Sequence, residues 1–336
     1  MTFAPESAGS VTGSVSVTSN ATNSPAAVSL SGAGSSSLDP LAAPICGLTN
    51  DSTNHMPDDT DWANFIPPAI GGTYTDSLYG CSVKRLTNSA AYGEALPHYY
   101  ATEEPISAGD SYIMVVGESS GAWHIIDLNG NVVIPAASFP NNDHNDQPKW
   151  DRTADNVFWI NLGNVLEKCT ITGNSASCAA NHTFAEYASY GQAFTAETDM
   201  TLNGWLPLVG QNTQGGNIDV FLYNPTASVK SPVYETSCTG DAFDASPGCI
   251  HKMISTANDG IMIQFASNGT CTECGNRLWE SDTTPAWSIT APQFEATASH
   301  IDSGKDLSST LVMASEDQPQ RTTQLIAGAI PASSTC

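Results

Sequence analysis

ISAGDSYIMVVG at 106–117 is a polar turn running into a short apolar strand, and it returns four more times in altered letters. The later copies are RTADNVFWINLG (152–163), LNGWLPLVGQ (202–211), TANDGIMIQFAS (256–267) and LSSTLVMASED (307–317). With Asp110, Asp155, Gly204, Asp259 and Ser308 taken as equivalent, the intervals are 45, 49, 55 and 49 residues. A period of roughly 40–50 residues with several short strands per unit is the pattern of a β-propeller, whose blades bury their faces only by stacking. The expected fold class is therefore all-β: a propeller of about five visible four-stranded blades, within the usual four to eight. The blades are cut at 92–140, 141–190, 191–240, 241–292 and 293–336. The abrupt stop at Cys336 leaves room for further blades in a larger ring.

The composition narrows the partners. The chain has 336 residues, of which 34 are acidic and 10 basic, for a net charge of −24. Nucleic acid and anionic membrane surfaces are recognised by clustered Lys and Arg, so both are disfavoured. No window approaches 18 uninterrupted apolar residues, so no membrane insertion is expected. A Ser-, Thr-, Asn- and Gly-rich surface accords with an extracellular or cell-surface protein.

Cysteine spacing agrees. Cys169 and Cys178 flank TITGNSAS, Cys238 and Cys249 flank an acidic loop, and Cys271 and Cys274 form CTEC. Cys46 and Cys81 remain as a long-range pair, with Cys336 odd. Short sequential loops of this kind suit disulfides across hairpins in an oxidising compartment. Zinc at the CTEC is the rival reading, but no second close Cys or His pair stands at zinc-site spacing. Four Asn-X-Ser/Thr triplets begin at Asn20, Asn50, Asn181 and Asn268. MTFAPESAGS has neither a basic start nor an apolar run, so no export signal is legible. Secretion is then consistent only if Met1 is not the natural start.

Residues 1–36 read as two alternating strands, GSVSVTS and AAVSLSG, joined by NATNSP. The run TFAPESAGSVTGSVSVTSNA resembles the C-terminal half of choice-of-anchor D or ASH-type immunoglobulin-like modules of secreted bacterial proteins. Residues 37–79 are a linker or lead-in, and the propeller is assigned to 80–336. Its first strand, GCSVKRLT at 80–87, is expected to complete the last blade, as such strands do in closed propellers.

QPKWDRTADNVFWI at 147–160 resembles the TolB-like, WD40-like repeat, whose pattern is Pro-x-Trp-Ser-x-Asp-Gly before an apolar strand. Pro148 and Trp150 match, Asp155 fits with two extra residues after the Trp, and Asn156 replaces the turn Gly. Secreted relatives of that repeat include lyase-type propellers and many binding modules.

Aligned on the turn, Gln147, His251 and His300 stand eight to ten residues before their apolar strands, where inner strands ring an axial opening. Imidazoles with an amide oxygen can hold a divalent metal, manganese, calcium or zinc. The lyase-type resemblance implies that such a metal would bind a uronate carboxylate and acidify the adjacent carbon for β-elimination. His98, Tyr99 or Tyr100 would supply the catalytic base. His144 and Trp150 are candidate ligand contacts on the same rim. The competing reading is a solvated rim with no chemistry. Three functions follow in order of preference. The first is a secreted propeller binding a glycan or extracellular protein at its axial face. The second is a metal-assisted lyase of uronic-acid polymers, and the third a structural or adhesive segment of a large surface protein.

Overall fold

A computed structural model describes residues 9–17, 24, 26–34, 64–76, 80–99, 103–140, 147–187, 192–193, 198–211, 217–236, 250–256, 259–265, 275–281, 286–290, 301–305, 311–317 and 322–327. The chain divides into two compact units between Arg85 and Leu86.

The first unit holds two antiparallel hairpins. β1 (Gly9–Val17) pairs with β2 (Ala26–Gly34) from Gly9↔Gly34 to Val17↔Ala26, as the alternation of the two segments requires. β3 (Thr73–Thr75) pairs with β4 (Ser82–Lys84). Among the described residues, the strand expected in GCSVKRLT pairs with β3. The reason is local. Asp76 N–H donates to Cys81 O, and Gly80 takes a left-handed φ of 68°, which closes a tight connection to the preceding strand.

The second unit is all-β apart from single helical turns. Its described strands form five antiparallel sheets in chain order, one within each of the five repeat segments. Sheet I is β5 (Tyr112–Val116), β6 (Trp123–Asp127) and β7 (Val132–Ile134), with Ile106 bridged to Ile113 on its inner side. Sheet II is β8 (Lys149–Trp150), β9 (Val157–Leu162), β10 (Val165–Thr172) and β11 (Ser175–Thr183). Sheet III comprises β12 (Gln192–Ala193), β13 (Leu206–Gln211), β14 (Ile218–Asn224), β15 (Val229–Lys230) and β16 (Tyr234–Glu235). Sheet IV is β17 (Ile250–Ser255), β18 (Ile261–Phe265) and β19 (Gly275–Trp279). Sheet V is β20 (Ile301–Lys305), β21 (Leu311–Asp317) and β22 (Thr322–Ala327). Neighbouring strands follow one another in sequence, so each sheet is chiefly a meander.

Alternation along the strands sends side chains to both neighbouring sheets. In β9, Phe158 and Ile160 pack with Met114, Val116, Trp123 and Ile125 of sheet I. Val157 and Trp159, one step out of phase, pack with Leu206, Leu208, Phe221 and Tyr223 of sheet III. In β14, Ile218, Val220 and Leu222 turn the other way, onto Ile261, Ile263 and Phe265 of sheet IV. Burial on both faces explains why these strands read as continuous apolar runs and not as alternating ones. The far face of sheet I (Ile113, Val115, Ile126) is covered by Leu86, Tyr92 and Leu96 of the segment that precedes it.

Cys169 and Cys178 face each other across β10 and β11, the outer two strands of sheet II, and are joined by a disulfide. The expected pairings Cys238 with Cys249 and Cys271 with Cys274 fall on residues outside those described, as does Cys46, the expected partner of Cys81.

Candidate functional site

Four of the turns open on a residue whose side-chain oxygen caps them: Ser107, Asp151, Thr201 and Thr256. Ser107 Oγ accepts from Tyr112 N–H at 3.0 Å, and Asp151 Oδ1 from Thr153 and Ala154 N–H at 2.8 and 3.0 Å. Thr201 Oγ1 accepts from Trp205 N–H at 3.1 Å, and Thr256 Oγ1 from Gly260 N–H at 3.0 Å. Such short side chains favour this turn because they satisfy backbone donors locally. Asp110, Gly204 and Asp259 hold left-handed backbone at 58°, 84° and 57° at matching places in their turns.

These turns bond to one another from sheet to sheet. Ser107 Oγ and Gly109 N–H both donate to Asp155 Oδ1, at 2.5 and 2.7 Å. Arg152 Nε donates to Met200 O at 2.9 Å, and Asn203 Nδ2 to Asp259 Oδ2 at 2.6 Å. Partial burial works to raise the Asp155 carboxyl, but hydrogen bonds from Ser107, Ser111 and Gly109 outweigh it and hold it below its ordinary value.

A few residues upstream of these turns, polar side chains of three successive repeats meet. Lys149 Nζ lies 2.6 Å from Glu103 Oε1, with side chains 2% and 9% exposed. Gln147 Nε2 donates to Tyr99 Oη at 3.1 Å. Asp199 Oδ2 accepts from Glu104 N–H at 2.9 Å and lies 3.4 Å from an Arg152 guanidinium nitrogen. Burial pushes the Asp199 carboxyl up to about 6, against the pull of Lys149 and Arg152. The Gln147 Oε1 atom is buried with no hydrogen-bond partner among the described residues. His98, Tyr99, Glu103, Pro148 and Asp199 border a hollow of about 10 Å³, room for one water molecule.

The structure brings some of the expected site residues together. His98 is exposed and Tyr99 half-buried at this hollow, with Gln147 beside them. Trp150 is a core side chain, 4% exposed, whose indole N–H donates to Pro105 O at 2.9 Å. It serves the interface of sheets I and II and is not a rim platform. Tyr100, His144 and His300 lie outside the described residues, and for His251 only the backbone is described. His251 falls where the β17–β18 pairing steps irregularly between Ile250 and Lys252. Counting back from the capping residues Asp151 and Thr256 makes Lys252, not His251, the counterpart of Gln147. Of the expected metal set, the side chain of Gln147 alone is among those described. Among the described residues, no three His, Cys, Asp or Glu side chains are grouped to hold a metal ion.

Sequence reading missed Glu103, Lys149 and Asp199. Their one signal is Lys149 itself, a charge set between Pro148 and Trp150 in a strand that must be buried.

A scan against protein-family models and a search of curated proteins found no match. Among solved structures, the crystal structure of TolB from Acinetobacter baumannii is similar with a TM-score of 0.34 and 9% sequence identity, covering 65% of this chain and 52% of that one. The chain thus spans about half the length of that protein, and the likeness concerns β-rich architecture alone.

Proposed function

We propose that the second unit is a β-propeller of the TolB-like kind. In this reading it is a secreted, non-catalytic recognition module that takes a glycan or extracellular protein just upstream of its capped turns. The observation that carries this reading is the gathering of Tyr99, Glu103, Gln147, Lys149 and Asp199, from three successive repeats, upstream of those turns. The charges there neutralise one another: Lys149 answers Glu103, and Arg152 answers Asp199. Such a site offers hydrogen bonds and little net field, which suits hydroxyl-rich or peptide ligands better than a strongly ionic one. The hollow has no room to enclose a sugar ring, so the ligand rests on the rim. The disulfide between Cys169 and Cys178 supports secretion, because cross-strand disulfides persist in oxidising compartments.

Screening the whole protein against arrayed neutral and uronic-acid glycans tests the proposal, followed by titration of Tyr99→Phe and Gln147→Ala. Each substitution is expected to weaken binding about tenfold, the worth of one hydrogen bond of roughly 1.4 kcal/mol. Appearance of an unsaturated uronate product with manganese, calcium or zinc present would replace this reading with the lyase one. Binding unaffected by both substitutions would move the site elsewhere.

A further inference from the structure

We propose that β11 (Ser175–Thr183) is a dimerisation edge that pairs antiparallel with the same strand of a second copy of this chain. β11 is the outermost strand of sheet II and, among the described residues, bonds only to β10. It is nine residues long and exposed or half-buried throughout. The other outer strands of sheets I to III are short: β7 has three residues, and β15 and β16 two each. In sheet IV, Trp287 and Thr290 N–H donate to Glu280 O and Leu278 O and so cover the outer side of β19. Short strands and covered edges are the usual protection against edge-to-edge pairing, as are Lys and Pro placed on the edge. SASCAANHT is nine residues long, carries no Lys or Pro, and among the described residues has no strand or loop bonded to its outer side.

The direction of the free backbone groups follows from the ladder. Cys169 and Cys178 are a directly opposed pair with Cα atoms 4.0 Å apart, the close spacing of a non-hydrogen-bonded pair. The N–H and C=O of Cys178 therefore point away from β10, and by alternation so do those of Ala176 and Ala180. The disulfide fixes this row of donors and acceptors in place before any partner arrives.

Charge at the strip itself permits a second copy as the occupant. Two copies of a chain of net charge −24 repel over most of their surfaces. The strip 175–183 carries no charged residue, so antiparallel self-pairing about a two-fold axis sets no carboxylates opposite one another. Its Ser and Ala side chains let the two strands approach without steric conflict. Sheet II and its copy would then form one continuous eight-stranded sheet.

Sedimentation of the full chain over a range of concentration and salt, combined with residue-resolved amide exchange, tests this. The expected result is a monomer–dimer equilibrium that shifts toward dimer as salt screens the acidic surfaces. Exchange at Ala176, Cys178 and Ala180 should slow with concentration, while Ser177 and Ala179, bonded to β10, stay unchanged. Ala176→Pro and Ala180→Pro each delete an outward N–H and spare the β10 ladder, so both should be monomeric with the disulfide retained. Ala180→Lys, which sets like charges near the axis, gives the same answer if a Pro variant does not fold. A chain monomeric under all conditions overturns the proposal. So does a dimer that survives Ala180→Lys, or one that leaves the exchange of those three amides unchanged.

Discussion

The backbone N–H of Glu104 donates to the Asp199 carboxylate at 2.9 Å across 95 residues of chain, although sheet II stands between the sheets these residues serve. Sheets packed face to face lie about 10 Å apart, so flat parallel layers would hold sheets I and III about 20 Å from each other. Contact between Glu104 and Asp199 requires the segments leading into the capped turns of sheets I and III to converge past sheet II. The same convergence brings Tyr99 onto Gln147 and Glu103 onto Lys149.

The Lys149–Glu103 pair is expected to behave as a buried ion pair. Glu103→Gln or Lys149→Met alone should cost about 3–5 kcal/mol, because each leaves a charge or its partner stranded in the interior. The double variant Lys149→Met/Glu103→Leu should recover most of the loss. Urea unfolding of the four proteins gives the coupling directly.

Asp199 should make stability depend on pH in an unusual sense. Its folded carboxyl, raised to about 6 from an ordinary 3.8, holds its proton more tightly than in the unfolded chain. That contribution favours the fold at low pH and is lost as pH rises from about 4 to about 6. Wild type measured against Asp199→Asn should therefore lose relative stability across that window and run flat above it. Carbon-13 titration of the Asp199 carboxyl should show a midpoint near 6.

Asp155 should act in the opposite sense. Its carboxyl is held below the ordinary value, so its stabilising effect is present at neutral pH and fades as pH falls through the folded midpoint. Asp155→Ala should cost about 1–3 kcal/mol by stranding the Ser107 and Gly109 donors. Gly109→Ala should also destabilise, since a Cβ there would stand 2.7 Å from Asp155 Cγ. Thermal unfolding of both variants at neutral and acid pH checks the pair of claims.

Reduction of the Cys169–Cys178 bond closes off a small entropic contribution. For a loop of 9 residues, loss of the link should cost about 3 kcal/mol at most. Thermal unfolding of a Cys169→Ala/Cys178→Ala variant should show a lower midpoint with sheet content retained by circular dichroism.

Much of the architecture is legible in the letters. The apolar runs after ISAGD, RTADN, LNG and TANDG become β5, β9, β13 and β18, because each turn carries its own capping oxygen. The 1–36 hairpin and the Cys169–Cys178 staple also stand as read. The site was harder to see. The turn closes from Thr201 to Trp205 and from Thr256 to Gly260, but from Ser107 to Tyr112 and from Asp151 to Val157. Those extra residues shift any alignment made on turn letters, so counting from the caps pairs Gln147 with Lys252 where counting from the turns pairs it with His251. Trp150 looked like a stacking surface because strands covered on both faces give no sign of which aromatic points outward. Asp199 carries no motif at all. Its role comes from convergence of the segments leading into the capped turns, which no local pattern encodes.

A crystal structure of the full chain is the most direct test of that convergence. The prediction is Glu104 N–H within hydrogen-bond distance of the Asp199 carboxylate, with Tyr99, Gln147 and Lys149 gathered beside them and sheet II wedged between sheets I and III. Flat layers that hold Glu104 and Asp199 about 20 Å apart, with those side chains on separate surfaces, would contradict it.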